Sequence, residues 1–259
     1  MHLHNRPPLY RKWANRVKTV GIVGGLGPLA GAHFYRRLIE LSPATDDSTH
    51  LPMILVSNPW IPSRIEHLEG RGRSPVPELT KVCKQLISVG AELIVIPSST
   101  THAYYDELQR AMDVHMVSLV QSVADDLRTH SIKKVGILAT TPTRQYRIYE
   151  EHFKQYGIDF SYPDSDSQEQ VMEVIQRTKA GMAGELDGEW LNAIVNGKWS
   201  DGSDGVLLAC TELPVVYTLL NKERGDIAQG KKVLDATDIL AKRVIEEAYE
   251  SRHNEVSSV

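Results

Sequence analysis

Leu93-Ile94-Val95-Ile96-Pro97-Ser98-Ser99-Thr100-Thr101-His102 and Gly205-Val206-Leu207-Leu208-Ala209-Cys210-Thr211-Glu212-Leu213-Pro214 are the two stretches that decide how this chain folds. Each is a short apolar, β-rich run without polar alternation, the pattern of a parallel strand covered on both faces. Each stops at a small side chain able to act as a nucleophile, with threonine close behind. Val17-Lys18-Thr19-Val20-Gly21-Ile22-Val23 also reads almost letter for letter like Ile132-Lys133-Lys134-Val135-Gly136-Ile137-Leu138, an offset of 115 residues, while Ser98 and Cys210 lie 112 apart. Two matches at nearly one offset predict two halves built on a common plan, with the two edges facing one another.

Working outward, strands are expected over 17–23, 51–57, 93–97, 114–117, 134–139 and 206–210, with a short strand near Phe160 and a strand or turn at 232–235. Helices are expected over 29–41, 76–89, 101–112, 119–129, 144–156, 168–180, 185–196 and 236–250. Strands alternating with helices of this length predict an α/β fold of two pseudo-symmetric lobes with mainly parallel sheets. The expected division is a polar leader over 1–16, a first lobe over 17–117 plus 220–259, and a second over 118–219. Ligands of open α/β sheets bind beyond the carboxyl ends of strands, so the site belongs in the cleft between the lobes.

The chain has 259 residues, 41% hydrophobic and 24% charged, with a net charge of -4 and no basic stripe, which argues against nucleic acid as a partner. No apolar run is long enough for a membrane span. The opening residues lack the apolar core of a secretory signal, and Cys83 and Cys210 are too few for a disulfide framework; both observations suggest the cytoplasm. No metal-ligand spacing, Walker A sequence or Gly-x-Ser-x-Gly elbow is present.

Gly24-Gly25-Leu26-Gly27-Pro28 does not satisfy the dinucleotide fingerprint, and is read as a tight turn bringing backbone amides close to a small anion. Pro59 and Pro62 aim Arg64 from a defined loop. Cys83 falls among Leu79, Val82, Leu86 and Ile87 on a helix face and reads as packing. Cys210, between a strand end and a helix start, is expected to have its thiolate favoured by unpaired helix amides, making it a base or nucleophile. His102 either orients its loop, polarises Ser98 or caps the helix.

Gly21-Ile22-Val23-Gly24-Gly25-Leu26-Gly27-Pro28, Ile96 to His102, Leu138-Ala139-Thr140-Thr141-Pro142-Thr143 and Cys210-Thr211-Glu212-Leu213-Pro214 together resemble the cofactor-independent aspartate/glutamate racemase family. The resemblance implies a homodimer of two-lobed chains that needs no pyridoxal phosphate. It also implies that two opposed cysteines exchange the α-proton of a small acidic amino acid. The family's second cysteine falls on Cys210. Its first falls on Ser98, so the resemblance implies a slow or direction-biased enzyme, because an alcohol is a poor base without a neighbour to take its proton. By the same resemblance Arg64 and Lys179 anchor the substrate's carboxylates, with Ser99, Thr100, Thr141, Thr143 and Thr211 also in the binding set. Two other readings stay open: a single-cysteine decarboxylase or isomerase of a small dicarboxylate, and an impaired ligand-binding paralogue.

Overall fold

The computed structural model describes residues 17–224 and 232–250; the expected leader over 1–16 lies outside them. Among the described residues the strands form two four-stranded, wholly parallel sheets. The first contains β1 (Val20–Gly24), β2 (Met53–Ser57), β3 (Leu93–Val95) and β4 (Met116–Val117), in the order β2-β1-β3-β4. The second contains β5 (Lys134–Leu138), β6 (Asp159–Ser161), β7 (Gly205–Leu208) and β8 (Lys232–Asp235), in the order β6-β5-β7-β8.

The two orders are the same order. Val20 pairs with Leu93 and Val135 pairs with Gly205, so the strands that the offsets 115 and 112 relate occupy equivalent, central places in their sheets. Parallel strands need crossovers, and helices supply them. In the first lobe these are α1 (Pro28–Leu41), α2 (Arg64–Leu68), α3 (Val76–Ser88) and α4 (Tyr105–Arg110). α5 (Leu119–Thr129) leads to the second sheet, followed by α6 (Thr141–Gln145), α7 (Glu150–Gln155), α8 (Ser165–Lys179), α9 (Glu185–Val195), α10 (Leu213–Arg224) and α11 (Ala236–Glu250). None of the described helices is long and apolar enough to cross a membrane.

Local chemistry explains the helix starts. Pro28 opens α1 at a position where a missing amide costs nothing, and Ala30, Phe34 and Leu38 then recur every four residues on its buried face. Ser118 accepts from the Gln121 amide at 3.2 Å to cap α5, and Asp164 accepts from the Ser167 amide at 2.8 Å to cap α8. Cys83 is fully buried on α3, and burial pushes its thiol up to about 12, consistent with packing alone.

Three expectations are corrected. Residues 232–235, assigned to the first lobe, form β8 of the second sheet through Val206↔Val233 and Leu207↔Leu234; α11 then returns to pack on α1 and α5, so the chain's last elements join both lobes. The helix expected over 144–156 is two helices, because Arg147 adopts φ 54° and breaks it, delivering Tyr149 into the core. The helix expected over 101–112 begins instead as a 3-10 turn over Ser99–Tyr104 and becomes α-helical only at Tyr105. One hydrophobic cluster takes residues from β1, β5, β7, α5, α7 and α11 and runs through both lobes, so they are held against each other by a shared core.

Candidate active site

The carboxyl ends of the four central strands converge. β1 runs into the Gly24–Gly27 turn, and the segments that follow β3, β5 and β7 carry Ser98, Thr140 and Cys210, two or three residues past the strand ends. A cavity of about 20 Å³ lies among them, lined from the first lobe by Leu26, Arg64, Ile65 and Ser98 to Thr100, and from the second by Thr140, Thr143, Lys179 and Cys210 to Glu212. That is room for about one water molecule. A larger groove of about 710 Å³, lined by His102, His115, Gln121, Arg147 and Glu247 among others, contains no cysteine and mixes charges of both signs.

The floor of the small cavity is a contact between the two strand ends. Ser99 Oγ donates to the Ala209 carbonyl in a short bond and pairs with Tyr149 Oη at 2.8 Å, while Tyr149 Oη reaches the same carbonyl at 3.4 Å. Ser99 follows Ser98 and Ala209 precedes Cys210, so this buried bridge makes neighbours of the two candidate reactive side chains. The Ser99 hydroxyl, expected to face a ligand, is committed to that bridge.

Ser98 is buried, and its Oγ accepts from Thr101 Oγ1 at 2.8 Å. Its own hydroxyl hydrogen is therefore available to donate. His102 does not touch that oxygen. The Leu119 amide donates to His102 Nε2 at 2.9 Å, which leaves the proton on Nδ1, donating to the Ser98 carbonyl at 3.0 Å. Of the three roles left open, His102 orients the loop: it ties the Ser98 turn to the start of α5.

Burial holds the His102 imidazole down to about 4, against 6.5 in an open chain. A histidine with a depressed value contributes stability that is complete above pH 6.5 and is lost as pH falls toward 4, because the unfolded chain takes up the proton first. We expect the stability advantage of wild type over His102→Gln to shrink by as much as about 3 kcal/mol between neutral pH and pH ~4. Urea midpoints measured across that range check this; parallel pH profiles for the two proteins would refute it.

The expectation for Cys210 is reversed. Its thiol lies well above the ordinary value, first because it is buried and then because the Glu212 carboxylate stands beside it, with Lys179 pulling the other way. Cys210 rests as a thiol and donates to Glu212 Oε2 at 3.0 Å. Desolvation and a neighbouring anion outweigh whatever the helix start offers.

Arg64 donates from Nη2 to the Leu26 carbonyl at 2.7 Å, and burial lowers its guanidinium from the ordinary value, with Glu212 the largest opposing influence. Thr100, Thr140 and Thr143 form a triangle of hydroxyls with separations of 3.2, 3.1 and 2.8 Å. Thr141, expected in this set, is not on the cavity: its amide donates to Met172 Sδ and its hydroxyl accepts from Gln168 at 3.4 Å. Its neighbour Thr140 takes that place.

Packing by itself also calls for glycine in this turn. Gly25 adopts φ +92°, and a Cβ there would lie 2.4–2.5 Å from the backbone of Asn58; a Cβ on Gly27 would lie 2.5 Å from Glu212 Oε1. At Gly25 both the positive φ and the Asn58 backbone require glycine, whereas at Gly27 the neighbour is a side-chain end that could move.

A family model described as Asp/Glu/Hydantoin racemase matches residues 23–244. The chain belongs to that family. The broad specificity amino-acid racemase RacX of Bacillus subtilis is 26% identical over 235 residues, covering 87% of this chain and 96% of its own length. The structure of an aspartate racemase from Picrophilus torridus is 30% identical, with a TM-score of 0.78 over 89% of this chain and 94% of that one. An aspartate racemase homologue from Pyrococcus horikoshii is 28% identical, with a TM-score of 0.71 over 89% and 99%. Membership of the Asp/Glu/hydantoin racemases makes this chain an enzyme of the amino-acid racemase class. Within that frame the sequence reading missed Glu212 and Tyr149. Glu212 was signalled by standing two residues after Cys210. Tyr149 carried no signal, since only the break at Arg147 turns it inward onto Ser99.

Proposed function

We propose that the protein racemises a small acidic amino acid, aspartate or glutamate, by proton transfer at the α-carbon between Cys210 and Ser98. The observation that carries this is the Ser99–Ala209 bridge, which joins the ends of equivalent strands from the two lobes beneath one cavity that Ser98, Cys210, Arg64 and Lys179 all line. Arg64 takes one carboxylate bidentately and Lys179 the other. The threonine hydroxyls of Thr100, Thr140 and Thr143, with Thr211, complete the carboxylate pocket. An amino acid is larger than the cavity, so the walls part to admit it and close around it.

In the productive direction the Cys210 S–H proton moves to Glu212 Oε2, and the thiolate so formed takes the α-proton. Charge on the substrate collects in its carboxylate next to the cations. Ser98 then gives its hydroxyl proton to the opposite face of the carbanion, and the alkoxide left behind is held by the hydrogen bond from Thr101 until solvent restores it. Acid and base are both side chains, so this chemistry requires no pyridoxal phosphate. We further propose that the enzyme works as a homodimer in the cytoplasm.

The test is incubation of the purified protein in D2O with each enantiomer of aspartate and glutamate. Deuterium at the α-position, followed by NMR, is expected with at least one of the two. No exchange with either, while malonate derivatives or maleate are converted, would instead favour a decarboxylase or isomerase.

A further inference from the structure

Two buried polar atoms on the cavity's lining residues have no hydrogen-bond partner: Arg64 Nε and Glu212 Oε1. One is a donor and the other an acceptor. Glu212 is only 3% exposed, its Oε2 is occupied by the Cys210 thiol, and it forms no ion pair among the described residues. Oε1 lies against Gly27, with the Lys179 side-chain stem beside it. A charged oxygen kept from water without a donor is costly, and a ligand that brings a donor recovers the cost.

The charge pattern narrows which ligand that is. A simple dicarboxylate would satisfy Arg64 and Lys179 but would meet a third carboxylate, Glu212, with nothing to offer it. An α-amino acid carries the missing donor. Its ammonium is bonded to the same carbon whose hydrogen Cys210 has to reach, so a carboxylate already touching the sulfur is within range of it. We infer that Glu212 is the ammonium anchor of this site, Oε1 accepting from the substrate's α-ammonium while Oε2 stays on Cys210, and that it selects amino acids over dicarboxylates lacking the amino group. The inference deepens the racemase reading above and rests on it.

Calorimetric titration with matched pairs tests it: aspartate against succinate, and glutamate against glutarate. Wild type is expected to bind the amino acid of at least one pair about tenfold or more tightly than its deaminated partner. Glu212→Gln is expected to weaken the amino acid by about 10- to 100-fold while the dicarboxylate holds or tightens, bringing the ratio to about one or below. Glu212→Asp, which keeps the charge, is expected to retain a preference for the amino acid. An unchanged ratio in the Gln variant overturns the inference, and so does a wild type that prefers succinate and glutarate, a result that needs no variant to fold. Wild type binding none of the four acids would sink the racemase reading itself, whereas binding with an unmoved ratio sinks only the role of Glu212.

Discussion

Replacing Cys210 by alanine is expected to lower α-proton exchange from both enantiomers by at least about a thousandfold, since it removes the one side chain on its face that can cycle between acid and base. The folded state should survive, because Cys210 is a small residue at the rim of a cluster that Leu138, Leu208 and Leu213 dominate. The alanine does leave Glu212 Oε2 without its donor, so Cys210→Ser is the companion variant: a hydroxyl keeps a donor at that position but is far less acidic than a thiol. Both variants should be inactive, and the serine should be the more stable of the two in thermal melts. Full activity in the serine variant would show that the thiol is not the proton carrier on that face. Full activity in the alanine variant would remove Cys210 from the chemistry altogether.

The resting state of Cys210 sets the pH dependence of that chemistry. A thiol held above its ordinary value by burial and by Glu212 is the wrong species to abstract a proton, and the right one to donate. In the proposed mechanism the carboxylate that raises it is also the acceptor that relieves it, so one side chain suppresses the thiolate at rest and enables it when substrate arrives. In that mechanism the substrate's carboxylates reach Arg64 and Lys179 and so shift the local charge balance that triggers the transfer.

The two-lobe plan was legible in the sequence because buried parallel strands leave uninterrupted apolar runs, and because the two β-strand pairs kept their offset. Their position past strand ends also marks Ser98, Thr143 and Cys210 as belonging to one cavity. What was not legible depends on side-chain orientation and long-range pairing. Glu212 is an acidic residue beside a helix start in the sequence; only in the fold does it turn inward onto a sulfur. The thiol's raised value follows first from burial and then from that turn, neither of which a motif contains. β8 is a four-residue strand with one buried side chain, and its membership of the second sheet is decided by Val206 and Leu207 more than by its own pattern. The exchange of Thr141 for Thr140 is a single-residue shift where a strand passes into a helix, the least predictable kind of boundary.

Ser98→Cys is expected to raise racemisation by about tenfold or more, with a signature that separates it from a general improvement. The two enantiomers have equal free energy in water, so kcat/KM must be the same in both directions whatever residues do the work. A weak Ser98 cannot make the enzyme one-way in that sense. Its weakness shows elsewhere: once Cys210 has formed the carbanion, return of a proton from the same face competes with donation from Ser98. If the Cys210–Glu212 pair exchanges its protons with solvent in that interval, the enantiomer facing Cys210 incorporates deuterium with retention faster than it inverts. The other enantiomer, whose proton faces an alcohol held by Thr101, is deprotonated slowly and then protonated mainly by Cys210 on the opposite face, so nearly every exchange is also an inversion. A thiol at position 98 is a far better acid and base, so inversion should catch up with exchange and the two enantiomers should behave alike. Chiral separation of the products with mass detection of the α-deuterium measures both rates in one time course. A Ser98→Cys protein that melts normally but leaves the ratio of exchange to inversion where it was would mean that the second proton comes from some other group, and that Ser98 only shapes the pocket.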